Sequence, residues 1–484
     1  MRWISLKKQL WATFIGFGVL GLCLPANMKA QANCSYFASP SGSGTGKTLS
    51  APFRISNFWS VAKPGDTLCL VDGTYTGDNG MIHPPVRLSG ISGSPITITA
   101  INDGAVLIDG QNARVPVLFA ANSWWILQGF NAAHSSDDSV IALNPTSPGD
   151  NSTGSNNNIL RRIVAWDARD VNSSILLIWS STNNLVEDFA GFGTARKITQ
   201  NFARADNNVY RRMFGQWTYS TASVSGPHST VSLSYDSSGN IAENFISTWD
   251  EDPGADTTSA YGLLSLNQYD RFTTDRNEAN HNTNSKFLGS IAFQLATQRG
   301  NFDGALQGGQ AASGITYKDI AIYLEKSGGT ESLVNLATEY GGPTKGGHQL
   351  INITAIRTNG PSSVIDTDWT ITNRKTGKSV SDIYGTQSLY VNDGTKGATI
   401  CYQYQNGTLT KVPLWPWPMN QRIIDALRAA GRASVDVTAT VQNIFGQIPA
   451  ACRSGATTTT TAVTTSSPTQ ITPPQNLRST GATP

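Results

Sequence analysis

The sequence predicts an all-β solenoid of short parallel strands. Three observations carry this expectation. Four times in mid-chain an Asn-Asn or Gly-Asn step opens an alternating apolar run. These are Asn157-Asn158 before 159–163, Asn183-Asn184 before 185–189, Asn207-Asn208 before 209–213 and Gly239-Asn240 before 241–245. The second Asn recurs at 158, 184, 208 and 240, in steps of 26, 24 and 32 residues, a spacing typical of coils that stack on their neighbours. Charged residues are only 14%, against about 25% in ordinary globular chains, while Gly numbers 46. Small polar residues in place of charge suit an extracellular β protein rich in turns. The 39% of hydrophobic residues excludes disorder. A net charge of +2 gives no reason to expect a nucleic-acid partner, although a local basic groove stays open.

Taken in order, residues 1–32 read as a secretory signal. Arg2, Lys7 and Lys8 precede the apolar run 10–24, and Ala30-Gln31-Ala32 is an A-x-A-like cleavage site. The apolar run is shorter than the ~20 residues of a spanning helix, so cleavage before Asn33 is favoured over an anchor. Leu22 is too large for a lipoprotein site at Cys23. Removal leaves Cys34, Cys69, Cys401 and Cys452, for which three pairings exist. The expected pairs are Cys34 with Cys69 and Cys401 with Cys452, one staple at each end of the solenoid. Residues 53–62 carry apolar side chains at helical spacing. Lys63-Pro64-Gly65-Asp66 is a turn, and strands are expected at 67–71, 94–100 and 105–108 from their period-two alternation.

Tyr36-Phe37-Ala38-Ser39-Pro40-Ser41-Gly42, Ala62-Lys63-Pro64-Gly65-Asp66-Thr67, Asp72-Gly73-Thr74-Tyr75 and Gly93-Ser94-Pro95-Ile96-Thr97-Ile98 form a group. That group resembles the entry to secreted proteins of the pectate-lyase-like superfamily. The resemblance covers Tyr36 to about Gly110, and later coils extend the pattern to about Ile356. It implies a right-handed, single-stranded parallel β-helix over 33–410, with an N-terminal capping helix. It does not imply one activity, because that fold carries lyases, hydrolases and adhesins.

Further coils follow at 123–130, at 314–320 and at 348–353, with a long polar loop at 144–156. The step from Asn240 to Asn284 is 44 residues, too long for one coil, so 261–266 is expected as an intervening strand. Residues 411–455 change character and are expected to form a helical cap. Asn420 is a plausible N-cap, Ile423, Ile424, Leu427 and Ala430 give one face, and Gly431 is a stop. Asp436 caps a second helix carrying Val441, Ile444 and Phe445. Trp415 and Trp417 belong to this cap or, alternatively, stack on sugars. Residues 456–484 are a Thr/Ser/Pro-rich linker or tail. Their end, Pro473-Pro474-Gln475-Asn476-Leu477-Arg478, resembles the first strand of a fibronectin type III domain, far short of a whole one.

No nucleotide loop, H-E-x-x-H helix, zinc cysteine cluster or G-x-S-x-G elbow occurs. A histidine-centred triad is not expected from His228 and His281. Two constellations remain. The first is basic: Arg196, Lys197, Arg204, Arg211 and Arg212. The resemblance implies a Lys or Arg base beside a uronate carboxylate, with other cations neutralising that carboxylate. Lys197 is the candidate base, Arg212 the neutraliser, and Arg196, Arg204, Trp217 and Trp249 the substrate-binding candidates. The competing reading is a plain charge ladder of Arg162, Asp188, Arg212 and Asn244 on stacked coils. The second constellation is acidic: Asp250, Glu251, Asp252 and Asp256 near a turn. Asp250 and Asp252 are candidate calcium ligands, against an ordinary exposed loop.

The functional expectation is a secreted or cell-surface, monomeric protein, with the periplasm a further location. It binds an acidic polysaccharide over coils 158–290 and cleaves it by β-elimination, with calcium as the candidate cofactor. Alternatives are a non-catalytic glycan-binding or structural rod, and a glycoside hydrolase using Glu187-Asp188 or Asp250 with Asp252.

Overall fold

The computed structural model describes residues 34–136, 139–169, 173–217, 228–234, 236–249, 261–267, 284–294, 302–308, 314–324, 334–335, 349–357, 369–371, 378–382, 385–393, 400–446 and 452. Within them the chain winds as a parallel β-helix, right-handed as parallel crossovers are. One sheet of 18 described strands and a second of eight face each other. Each mid-chain coil gives a short strand to the smaller sheet, turns at an Asn step, then gives a long strand to the larger one. Lys197–Phe202 followed by Val209–Trp217 is one such coil. Registers are parallel throughout the stack. Glu187 lies beside Arg161 and Arg211, and Arg211 beside Glu243. The exceptions are Trp369–Ile371 and Lys378–Asp382, which pair antiparallel, and the hairpin Tyr402–Gln405 with Thr408–Pro413.

The Asn steps form the corner of each coil. Asn157, Asn183 and Asn207 adopt left-handed backbone at φ 60°, 58° and 56°, where Asn is among the best-tolerated side chains. The following Asn is buried and bonds to the next coil. Asn158 N–H donates to Asn184 Oδ1 at 2.8 Å, Asn184 N–H to Asn208 Oδ1 at 2.8 Å, and Asn208 N–H to Asn240 Oδ1 at 2.8 Å. Asn240 N–H continues the ladder to Ser285 Oγ at 3.2 Å. Buried turn amides, which would otherwise lack partners, are thus satisfied coil by coil.

The 44-residue step is one coil after all. Ile241–Trp249 pairs directly with Lys286–Leu288 and Ile291–Gln294. Tyr261–Asn267 lies in the other sheet, against His228–Ser234, so the extra length is insertion and not a further turn of the solenoid. The N-terminal helix is also shorter than its apolar pattern suggests. Helix α1 is Ile55–Phe58, with Ile55 and Phe58 buried against the first coils.

After each corner the long strand bends again at a second left-handed residue: Arg162, Asp188, Arg212 and Asn244, at φ 55°, 52°, 50° and 53°. Beyond that bend the strands are apolar on both faces. Ile163 and Phe189 point into the solenoid, while Val164, Trp166, Ala190 and Phe192 point out. Outward residues of this kind are covered by the C-terminal segment. Helix α2 (Asn420–Ala429) buries Ile423, Ala426 and Leu427, and helix α3 (Val437–Phe445) buries Val437, Val441, Ile444 and Phe445. Asp436 caps α3 by accepting from Ala439 N–H at 2.8 Å. Together with Trp415 and Trp417 these helices pack on Val164, Ala190, Phe214, Ile246 and Ile291. The helical cap therefore lies along the flank of the stack. Trp415 and Trp417 are 1% and 2% exposed and do not face sugar.

Both expected disulfides form, Cys34 to Cys69 and Cys401 to Cys452. The first joins the segment just before strand Tyr36–Ala38 to the neighbouring strand Thr67–Leu70, and the second ties the ends of the flanking cover. Replacing Asn208 by Ala should cost roughly 2–4 kcal/mol, since several buried donors and acceptors lose their partner. Asn207→Gly, at an exposed left-handed position, should change stability by less than about 0.5 kcal/mol. Urea unfolding midpoints of the two variants check this contrast.

Candidate functional site

Three ladders of side chains run along the outside of the larger sheet. The first two, at and just before the second bend, carry the basic residues. Arg161 pairs with Glu187 at 3.2 Å, and Arg211 bridges Glu187 at 2.9 Å and Glu243 at 2.6 Å. Arg212 holds Asp188 with two bonds, 2.7 and 3.0 Å, lies 3.1 Å from Glu187, and donates to Gln403 Oε1 at 2.9 Å. The 402–413 hairpin closes over this strip. Asn406 and Gly407 N–H groups both bond Glu243 at 2.9 Å, and Tyr404 exchanges backbone bonds with the Asn244 amide at 2.9 and 2.7 Å. The charge-ladder reading is therefore realised, but under a cover and not on a solvated face.

Burial by itself would raise the Glu187 carboxyl. Arg212, Arg161 and Arg211 outweigh it and hold the group below the usual carboxylate range. A carboxylate depressed in the folded state adds stability above its unfolded pKa of about 4.3. That stability is lost as pH falls through the lower folded value. Glu187→Gln should therefore destabilise by roughly 3 kcal/mol at neutral pH, leaving buried cations short of a partner. The deficit relative to wild type should shrink as pH drops below 4, which thermal unfolding across a pH series measures.

The structure separates the other candidates. Lys197 opens a strand of the smaller sheet between Ser174 and Ser229 and is 4% exposed, while Arg212 sits at the bend of the larger sheet. The two do not share a site. Arg196 is half-buried in the turn before Lys197. Arg204 lies at the opposite end of that strand, donating to Gly149 O at 3.3 Å and lying 3.8 Å from Asp236. Trp217 and Trp249 are register partners at the ends of adjacent strands, and nothing further of their side chains is described. Asp250, Glu251, Asp252 and Asp256 lie outside the described residues, as does His281. Among the described residues no group of three or more His, Cys, Asp or Glu side chains could hold a metal.

The third ladder, at the far end of the long strands, builds a site that no short sequence motif marks. Asp109, Ala133, Trp166 and Phe192 occupy successive coils in register. The residue after Ala133 is His134, left-handed at φ 58°, and Asp167 and Gly193 repeat that bend at φ 52° and 87°. The bend swings the imidazole back along the stack, where Nδ1 lies 2.9 Å from Asp109 Oδ1. The ring also stands edge-on to Trp166, 6.3 Å between centroids and 89° between planes. Trp166 in turn stacks on Phe192 at 5.5 Å.

Of these residues, His134 and Trp166 border a cavity of about 370 Å³. Thr74, Leu107, Asn131, His134 and Trp166 line it, and Ala429 and Ala430 at the end of α2 close it. Arg422 fixes α2 in place. It donates to Asn131 Oδ1 at 2.7 Å and to Asp103, which also holds Arg162. Gly104 makes room for this clamp. Its φ is 84°, and a Cβ there would stand 2.5 Å from Arg422 Nε. Arg432, just past α2, bonds Asp167 at 3.0 Å and lies over the Phe192 ring at 6.0 Å.

The chemistry follows from donor and acceptor roles. An ionised carboxylate only accepts, so the tautomer that fits this contact carries its proton on Nδ1 and turns Nε2 into an acceptor. Trp166 adds a buried indole N–H that has no hydrogen-bond partner. The wall thus offers His134 as an acceptor beside an apolar floor that includes Leu107 and Trp166. The sequence did contain a signal. Asp109 and His134 are 25 residues apart, one coil by the period of the Asn steps, so stacking brings them together.

No protein-family model matches the chain, and no curated protein matches it. Among solved structures it is similar to a rhamnogalacturonan lyase, at 15% identity over 78% of this chain and 95% of that one, with a TM-score of 0.48. It is also similar to an alginate lyase from Paenibacillus sp. str. FPU-7, at 15% identity, 64% and 94% coverage and a TM-score of 0.41. A third is PfbA, a surface adhesin of Streptococcus pneumoniae, at 11% identity, 70% and 94% coverage and a TM-score of 0.30. None reaches a TM-score of 0.5, so the β-helix rests on the strand registers described above.

Proposed function

We propose that this chain is a secreted carbohydrate-active protein that binds an acidic polysaccharide in the cavity over its first coils and cleaves it by β-elimination. The observation that carries the reading is His134, which lines that cavity and is paired through Nδ1 with Asp109. A histidine whose Nδ1 proton is held by a carboxylate presents Nε2 as a base. In β-elimination His134 takes the proton beside the uronate carboxylate, the glycosidic C–O bond breaks, and a C=C bond forms in the ring. The departing oxygen then takes up a proton to become a hydroxyl. Trp166 and Leu107 supply the apolar contact usual in ligand sites. Calcium is retained as a candidate cofactor on Asp250 and Asp252, to be included in any assay.

This reading shifts the base from Lys197 to His134. Lys197 and Arg212 stand on different sheets, and the Arg212 guanidinium is engaged by Asp188, Glu187 and Gln403. A second reading, a non-catalytic glycan-binding rod, is favoured by the flanking cover, which occupies the outer face from Val164 to Ile291. The two readings diverge in one assay. Pectate, alginate and chondroitin, each with calcium, are incubated with protein while absorbance of the unsaturated uronate is followed. Catalysis predicts a signal that falls by about 10²-fold or more in His134→Ala, with binding of the polymer retained. Binding without any absorbance change, equal in wild type and variant, removes the catalytic reading and leaves the rod.

A further inference from the structure

We infer that the cavity receives the end of a saccharide chain and not its interior. This rests on the reading above that the occupant is a saccharide. The cavity runs across four parallel strands, Gly73–Tyr75, Val106–Arg114, Asn131–Ser135 and Ile159–Trp166. At about 4.8 Å per strand, these span about 14 Å along the solenoid axis. The strip is open at its first coil, where Thr74 is exposed, and ends at Trp166, which is 3% exposed.

What ends it is the C-terminal cover. Ala429 and Ala430 stand across the line of the strip. Behind them Arg432 is tied to Asp167 and lies on Phe192, the outward residue of the next coil. From that coil onward the outward side chains, Ala190, Phe214 and Ile246 among them, are buried under α2 and α3. A polymer lying along the coils cannot continue past this wall. The flanks are also occupied, by His134 with Asp109 on one side and by Asn131 with Arg422 on the other. The volume of about 370 Å³ is near the lower bound of ligand pockets, enough for a short saccharide. The terminal sugar would rest against the α2 wall beside Trp166, with the rest of the chain leaving over Thr74. The His134 base then faces a bond close to the terminus, so cleavage releases short products of one size.

The test uses the intact protein and size-defined oligosaccharides of pectate, alginate and chondroitin, with calorimetry for binding and chromatography for products. For the polymer that binds, affinity per chain should level off at short length and stay within about twofold as the chain grows. A bulky fluorophore on one chain terminus should abolish binding, while the same tag on the other should not. Ala430→Trp, which narrows the wall, should weaken short oligosaccharides by about tenfold or more without altering the unfolding temperature. Affinity that keeps rising in proportion to length, indifference to both tags, or mixed internal fragments from the first minutes would overturn the inference while leaving saccharide binding intact. Failure of every saccharide to bind would instead overturn the reading on which it rests.

Discussion

The structure depends on one interaction repeated along its length. At each corner a buried Asn side chain accepts the N–H of the matching residue one coil earlier, from Asn158 through Asn184 and Asn208 to Asn240. Sheet bonds join the strands, but a turn has no ladder of its own, and a buried turn amide without a partner costs as much as a lost hydrogen bond. The Asn amide solves this with one side chain, because it accepts at one end and donates at the other. Asn208 also donates to Ser181 O and Asn201 Oδ1, both at 2.9 Å. With the corners locked, every outward position falls into a straight ladder, and all later features are consequences of that alignment.

The charged and apolar ladders are two such consequences. At the bend, like charges stacked at about 4.8 Å would repel, so Arg and Glu or Asp alternate from coil to coil. Beyond the bend the outward ladder is apolar and needs a partner, which α2, α3 and the two tryptophans supply. The cover and the ion ladder reinforce each other, since Gln403, Tyr404 and Asn406 bond directly to Arg212, Asn244 and Arg211. Removal of water over the strip strengthens those pairs relative to exposed ones, whose worth is usually small.

Much of the fold was legible because the Asn step is short-range and exact in position. Asn183-Asn184 announces both a left-handed residue and a buried ladder residue, and the disulfide partners fall at the expected places. What failed was arithmetic across an insertion. The Asn240 to Asn284 step looked too long for one coil; the strand expected at 261–266 does form, but an insertion leaves the strand registers untouched, so length alone could not decide. The flank location of the helical segment was half-visible. Ile163-Val164-Ala165-Trp166 is apolar without alternation, the pattern of a strand buried on both faces. The site was harder. Lys197 and Arg212 are near in sequence, yet a strand and a corner apart in a solenoid, whereas Asp109 and His134 are distant in sequence and adjacent in space. Chemistry in a stacked fold is read one period apart, not within a window.

The same geometry narrows where function can reside. A sheet face in a solenoid is uniform along its axis unless something interrupts it, and here the C-terminal cover does. It occupies the outward ladder from Val164 to Ile291 and stops at Ala430, next to Trp166. The coils before that point keep the register but not the lid, so His134 lines a cavity instead of being covered by protein, with the buried Trp166 at the boundary. Arg422 decides where the boundary lies, because its bonds to Asp103 and Asn131 anchor α2 to the third and fourth coils. A cover anchored one coil earlier would bury the imidazole. One anchored later would expose Phe192 and Phe214 to water, at about 25 cal/mol for each Å² of apolar surface. The position of the site is thus set jointly by the solenoid period and by a single arginine clamp.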